Sequence, residues 1–315
     1  MTPEISVVIP SFNDGKYLAK AVDSVKAQTF SNWEIVICDD GSTDGTSPQA
    51  AEALAAERIR VVRHSTNRGL AATRNTAIRA ARAGIIVPLD ADDQLPPDAL
   101  ALIAKALAEH PSGDFAFGHT REHCWEDGTA LVRRLSAGAE FGDDGWMPWC
   151  GCSPFRVSLW SKVGGYDESE LYRRAPEEID FWMRVAAHKG RGIFIDAVLY
   201  DYLRRPGSLG HEFTPRALSA ALNTLSKPEA RWIDPRVRTR LGLSTALFAA
   251  TYWRRRGRPL KALWSLRHGL RFQFFSWRLC RASLGCLAEF ALPPLRRRYT
   301  LAHEAREAKA KLHAG

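Results

Sequence analysis

The chain has 315 residues, 45% hydrophobic and 25% charged, a balance that excludes a disordered or fibrous protein. Its formal net charge of +9 hides an asymmetry: residues 1–215 carry 23 Lys+Arg against 30 Asp+Glu, and residues 216–315 carry 21 against 5. The six cysteines form no CxxC pair or regular framework, no apolar run approaches the ~18 residues that span a bilayer, and no basic leader opens the chain. The expectation is a reduced, cytoplasmic protein whose acidic front and basic back meet different partners.

In chain order, Ile5 to Pro10 is a nearly continuous apolar run, as a strand buried on both faces requires. Turn chemistry at Ser11 to Gly15 leads into a helical pattern through Leu18, Val22 and Val25. Trp33 to Cys38 reads as a second strand, tipped by Asp39-Asp40-Gly41-Ser42. An Ala-rich helix over about 47–57, a strand over 59–63 and a helix over 70–83 follow. Strands alternating with helices of this length predict βαβ units and a parallel sheet.

The fourth strand, Ile85 to Leu89, ends in Asp90-Ala91-Asp92-Asp93. Carboxylates this close repel one another unless a cation or proton intervenes. At the carboxyl end of a strand in an open α/β sheet they stand where ligands bind. Oxygen donors suit Mg²⁺ or Mn²⁺, which bridge one or two carboxylates to substrate phosphates. Taken alone, the run is equally an acidic turn before the Pro96-Pro97 helix start. A dinucleotide site is not indicated, because neither G-x-G-x-x-G nor a P-loop follows the first strand.

Val7 to Asn13, Asp39 to Asp44, Asn67-Arg68-Gly69 with Arg74-Asn75, and Leu89 to Asp93 occur in this order and spacing. Together they resemble the family 2 glycosyltransferases, and the likeness runs on through Val163 to Glu168, Glu177 to Arg184 and Tyr202 to Ser208. The resemblance covers about residues 4 to 210. It implies a GT-A fold: a mostly parallel α/β sheet flanked by helices over residues 1–215, with residues 216–315 as a helical extension.

For the site, the resemblance implies that Pro10, Phe12 and Asn13 line a nucleotide pocket. Asp40 would accept from the base and Asp39 would support its loop. Asp90 would orient its loop or meet the ribose, with Arg68 and Arg74 as further donor contacts. Asp92 and Asp93 would hold Mn²⁺ or Mg²⁺ and the diphosphate, with His211 completing the metal shell. Arg204 and Arg205 would close over that diphosphate. Glu178 takes the place of the base that deprotonates the acceptor, with Glu177 and Asp180 as substitutes. The family more often has Asp at the position of Glu178, so the carboxylate is displaced by one methylene. A helix start, where acids complement the dipole, is the plainer reading of this acidic run.

Between about 118 and 155 the family pattern fades; Trp125, Trp146 and Trp149 there are possible sugar platforms or packing residues, and Cys150-Gly151-Cys152 reads as packing. Past Pro215, Leu263, Leu266, Leu270, Phe274 and Trp277 recur at helical spacing beside Arg267, Arg271 and Arg278, with Arg254 to Arg256 and Arg296 to Arg298 on either side. Basic amphipathic helices with aromatic faces read as membrane-surface elements. The expected partners are a nucleotide-sugar donor, a glycan or lipid-linked acceptor and the cytoplasmic membrane face, with no nucleic acid. The expected activity is inverting transfer of one sugar from a nucleotide-diphosphate sugar, UDP-linked first. A non-catalytic nucleotide-sugar-binding scaffold is the alternative.

Overall fold

The computed structural model describes residues 2–45, 47–124, 128–135, 152–173, 177–205, 220, 223–228, 231, 235–255, 257–269 and 283. The chain divides into two compact units, residues 1–212 and 213–315.

The first unit opens with β1 (Ile5–Ser11), α1 (Gly15–Lys26), β2 (Trp33–Asp39), α2 (Ser47–Leu54), β3 (Ile59–Arg63), α3 (Leu70–Ala80) and β4 (Ile85–Pro88). Every residue of β1, β2 and β4 is buried, which is why they read as nearly continuous apolar runs rather than alternating ones. β1 pairs in parallel with β2 and with β4, and β2 with β3. Leu18, Ala21, Val22 and Val25 of α1 are the buried stripe of that helix, at the expected spacing.

Then come α4 (Ala99–Glu109), β5 (Phe115–Cys124), β6 (Ala130–Arg133), β7 (Phe155–Arg156), α5 (Val157–Val163), α6 (Glu177–Ala187) and β8 (Gly192–Arg204). The strand order is β3-β2-β1-β4-β7-β5-β6, with β8 on β5. β7 is antiparallel to both β4 and β5, while β8 runs parallel to β5. The parallel half is thus joined to a mixed half through a two-residue strand.

Two apolar cores cover the two sides of this sheet. One gathers Val7, Ile9, Leu18, Ile37 and Leu100, with Cys152 packed on it. The other gathers Val8, Ile86, Phe115, Phe155, Phe181 and Trp182. In the second, the Tyr166 and Phe181 rings stack at 4.5 Å and Phe115 meets Trp182 at 5.0 Å. Aromatic burial of this kind anchors α6 firmly, and with it the acids at the helix start.

In the second unit, α7 (Pro235–Arg255) and α8 (Pro259–Gly269) pack through Ala250, Ala262 and Leu266, with Leu247, Trp253 and Leu263 against them. Leu260 and Trp264 of α8 are exposed, and Arg267 lies over the Trp264 ring at 5.0 Å. The predicted apolar series beyond Leu266 lies outside the described residues. Among the described residues no helix is long and apolar enough to cross a membrane.

Candidate active site

The carboxyl ends of β1, β2 and β4 lie side by side in the parallel half of the sheet, so the strand-tip residues converge. The tip of β2 is closed on itself. Asp39 accepts from the Ser42 amide at 3.2 Å and from the Ser42 hydroxyl, and its other oxygen meets Arg63 at 3.1 Å. Asp40, 2% exposed, accepts from His64 Nδ1 at 2.7 Å, the Arg68 amide at 2.8 Å and the Gly69 amide at 2.8 Å. Gly69 has φ 93°, and a Cβ there would stand 2.9 Å from the Arg173 carbonyl oxygen, so backbone geometry requires the glycine of the Asn67-Arg68-Gly69 motif. Gly41, at φ 67°, would place a Cβ 2.7 Å from the Thr66 backbone.

At the tip of β1, Asn13 adopts φ 57°. Its side-chain oxygen accepts from the Thr43 and Asp44 amides at 2.9 and 3.1 Å, while its own amide donates to Ser42 Oγ. Asn13 therefore ties the first tip to the second. Pro10 is buried in the strand, and Phe12 stands 40% exposed beside them.

The tip of β4 is held by arginines. Arg74 on α3, itself buried, meets Asp90 at 2.8 Å and Glu177 at the start of α6 at 2.8 Å. One guanidinium thus joins two acids 87 positions apart in sequence. Arg205, just past β8, meets Asp92 at 2.6 Å and Asp14 at 2.8 Å, with its guanidinium 4.5 Å from the Tyr17 ring centre. Asp93 differs from both: it accepts from Tyr200 Oη at 2.8 Å and the Leu203 amide at 2.7 Å and is almost wholly buried. Burial pushes its carboxyl well up, as do Asp90 and Asp92. Burial likewise raises Asp92 and takes Asp14 to about 6, against the pull of Arg205.

At the head of α6, Glu177 is 1% exposed and Glu178 half-buried. Burial raises both carboxyls, Glu177 to about 8, although Arg74 opposes the rise. The direction follows from charge: Arg74 answers Asp90, Glu177 and Glu178 together, so one cation faces three acids and the group retains a proton. Asp180 is fully buried and bound by Arg184 at 2.8 and 2.9 Å.

For a divalent cation, the candidate donors are Asp90, whose side chain is 38% exposed, and Asp92, 15% exposed. Among the described residues no three His, Cys, Asp or Glu side chains converge as a metal cage. Two hard carboxylates suit Mg²⁺ or Mn²⁺ when substrate phosphates complete the shell. The residues therefore fit a cation shared with a donor.

With this geometry in view, the comparisons are specific. The model of Glycosyl transferase family 2 matches residues 6–158. The putative glycosyltransferase EpsE of Bacillus subtilis (strain 168) is 31% identical over 208 residues, spanning 63% of this chain and 72% of EpsE. The chain belongs to glycosyltransferase family 2. Among solved structures, S. aureus TarS 1–349 in complex with UDP-GlcNAc matches at TM-score 0.63 and 16% identity, over 97% of this chain and 92% of TarS 1–349. Mannosyltransferase PcManGT from Pyrobaculum calidifontis, in complex with GDP-Man and Mn²⁺, matches at TM-score 0.56 and 18% identity, over 96% and 84%. These likenesses establish the GT-A fold.

Against the family expectations, two positions change. Asp93 is withdrawn as a metal ligand, because both its oxygens are bonded inside the protein. Asp180 is withdrawn as a substitute base, because Arg184 and burial enclose it. Asp40 holds the 64–69 loop through three donors. Arg204 is exposed, whereas Arg205 points onto Asp92. His211, Trp125, Trp146, Trp149, Cys150 and Gly151 lie outside the described residues.

The family motifs also hid structural work. Asn75 accepts from Trp160 Nε1 and the Tyr166 amide and donates to the Tyr166 carbonyl and Glu168. The Arg-Asn pair and the Gly-Gly-Tyr-Asp-Glu segment thus lock α3 to the chain leading into α6. Asp14 and Tyr17 were missed because Ser11 to Gly15 reads as a mere turn. An acid directly beyond the strand-tip asparagine was the available signal.

Proposed function

We propose that the protein transfers a single sugar, with inversion, from a nucleotide-diphosphate sugar to an acceptor hydroxyl, and that Glu178 is the base. One observation carries this: Arg74 spans the acids of the β4 tip and the head of α6 at 2.8 Å on each side, bringing the donor acids and the base onto one frame. Glu178 is the most accessible acid of α6 with a raised carboxyl, and a base poised nearer neutrality transfers protons best. It takes the acceptor hydroxyl proton as the acceptor oxygen bonds to the anomeric carbon. The bond from that carbon to the diphosphate oxygen breaks, and the nucleoside diphosphate leaves with the electron pair.

Asp92, with Asp90, would hold Mn²⁺ or Mg²⁺. Bound there, the ion supplies Lewis-acid stabilisation of the charge on the leaving diphosphate. Phe12, Asn13 and Pro10 border the space beside the strand tips for the base and ribose. A UDP-sugar is the first donor to test: TarS, the solved structure of the higher TM-score, is in complex with UDP-GlcNAc. The surplus of Lys and Arg in residues 216–315 and the exposed Leu260 and Trp264 beside Arg267 support attachment at an anionic membrane face. That attachment favours a lipid-linked or surface-glycan acceptor.

The test is a panel of nucleotide sugars with a mixed acceptor set, in Mn²⁺ and then in EDTA. Transfer from one donor, abolished by Glu178→Gln with donor binding retained, is the expected result. Donor binding without turnover for any acceptor would identify a binding scaffold instead, and no donor binding would remove the site assignment altogether.

A further inference from the structure

Arg205, like Arg74, joins two acids of the site, but its side chain is less buried, 15% exposed against 4%. It stands immediately after β8, and its Nε and one terminal nitrogen reach two different acids: Asp92 at 2.6 Å, on the loop after β4, and Asp14 at 2.8 Å, at the start of α1. Tyr17, one turn into α1, offers its ring to the same guanidinium at 4.5 Å. Two separate stretches of chain thus meet on a cation supplied by a third. Asp92 and Asp14 are both largely buried, and each repels the other; without a counter-charge the pair would be costly.

We propose that Arg205 is a built-in counter-ion that occupies the cation's place in the donor-free protein and exchanges it for a donor diphosphate when the site fills. This rests on the reading of Asp92 as a donor-site acid and deepens it by assigning Arg205 as an exchangeable diphosphate ligand and Asp14 and Tyr17 as the residues that position it. The chemistry is a swap of like for like. The guanidinium that neutralises two carboxylates is equally suited to two phosphate oxygens, because its planar donor fork fits either. Once Asp92 turns to a divalent cation, Arg205 is released beside the phosphates that arrive with it. Cation and guanidinium therefore compete when the nucleotide is absent and cooperate when it is present.

This predicts effects of opposite sign from one substitution. In Arg205→Gln, Mn²⁺ binding to the donor-free protein, read by calorimetry or by the loss of the free Mn²⁺ electron-resonance signal, strengthens by about tenfold, since a competing charged partner is gone. Binding of UDP and GDP in the presence of saturating Mn²⁺ weakens by about tenfold or more. Tyr17→Leu changes no charge but loosens the guanidinium, so donor-free Mn²⁺ binding should strengthen by roughly two- to threefold. Thermal melts of each variant verify that it is folded, and Tyr17→Leu alone suffices should Arg205→Gln not fold. Donor-free Mn²⁺ affinity that is unchanged or weaker in the folded variants would overturn the exchange while leaving the donor site intact. Wild-type protein that binds neither Mn²⁺ nor a nucleoside diphosphate would overturn both.

Discussion

The two acidic strand tips make the instructive contrast. Asp39-Asp40 at β2 and Asp90 to Asp93 around β4 look alike in sequence, and each follows a buried parallel strand. At β2 both acids are consumed by neighbours in the fold: backbone amides, a serine hydroxyl, a histidine and Arg63. At β4, Asp90 and Asp92 are answered by Arg74 and Arg205, while Asp93 alone is bonded inward. A carboxylate satisfied by amides of its own fold is structural. One answered by an arginine side chain, as Asp92 is by Arg205, can trade that partner for a metal or a phosphate. The difference lies in the donor, not in the acid.

The contrast can be broken or sharpened by substitution. The largest effect is expected at the head of α6, where Glu178→Gln should lower transfer by about 10²–10⁴-fold with donor affinity and melting temperature nearly unchanged; steady-state rates beside a binding isotherm check this. Next is Arg74→Leu, which leaves Glu177 and Asp90 without their shared cation. Stranding a buried acid should cost about 3–5 kcal/mol in urea unfolding. Adding Glu177→Gln should restore part of that loss.

A smaller effect should separate the two tips directly. Asp40→Asn replaces one accepting oxygen with a donor facing amide N–H groups, at a cost of about 1–3 kcal/mol in stability. Asp92→Asn should change stability less and instead abolish the metal dependence of nucleotide binding. Equal stability losses in the two variants would erase the distinction between the two tips.

A further effect is in pH dependence. Glu177 is raised from 4.5 to about 8 in the folded state, so between those values the native protein holds a proton that the unfolded chain has lost. Unfolding releases it, and stability falls as pH rises across that window. Urea midpoints of wild type and Glu177→Gln between pH 5 and 8 test the sign: the wild-type slope should be the steeper and downward.

Much of this was legible in the chain itself. The apolar runs of β1, β2 and β4 announce strands covered on both faces, because a parallel strand packed between two helix layers has no polar side to show. The motif order identified the family, and the positive φ of Gly69 explains one motif residue outright. Helix ends were less exact. The helix expected to reach 57 ends at Leu54, and the one expected to reach 83 ends at Ala80.

What sequence by itself determined is the class of chemistry: the acids, their strand-tip positions and the family they belong to. Only the tertiary structure decided which acids are free to act. Asp93 was lost to Tyr200 and Leu203, over a hundred positions away, while Asp90 and Glu177 were joined through Arg74. The reason is physical. A carboxylate's role depends on which donors reach it and how much water remains around it, and both are set by chain segments that pattern and spacing along the sequence do not bring together.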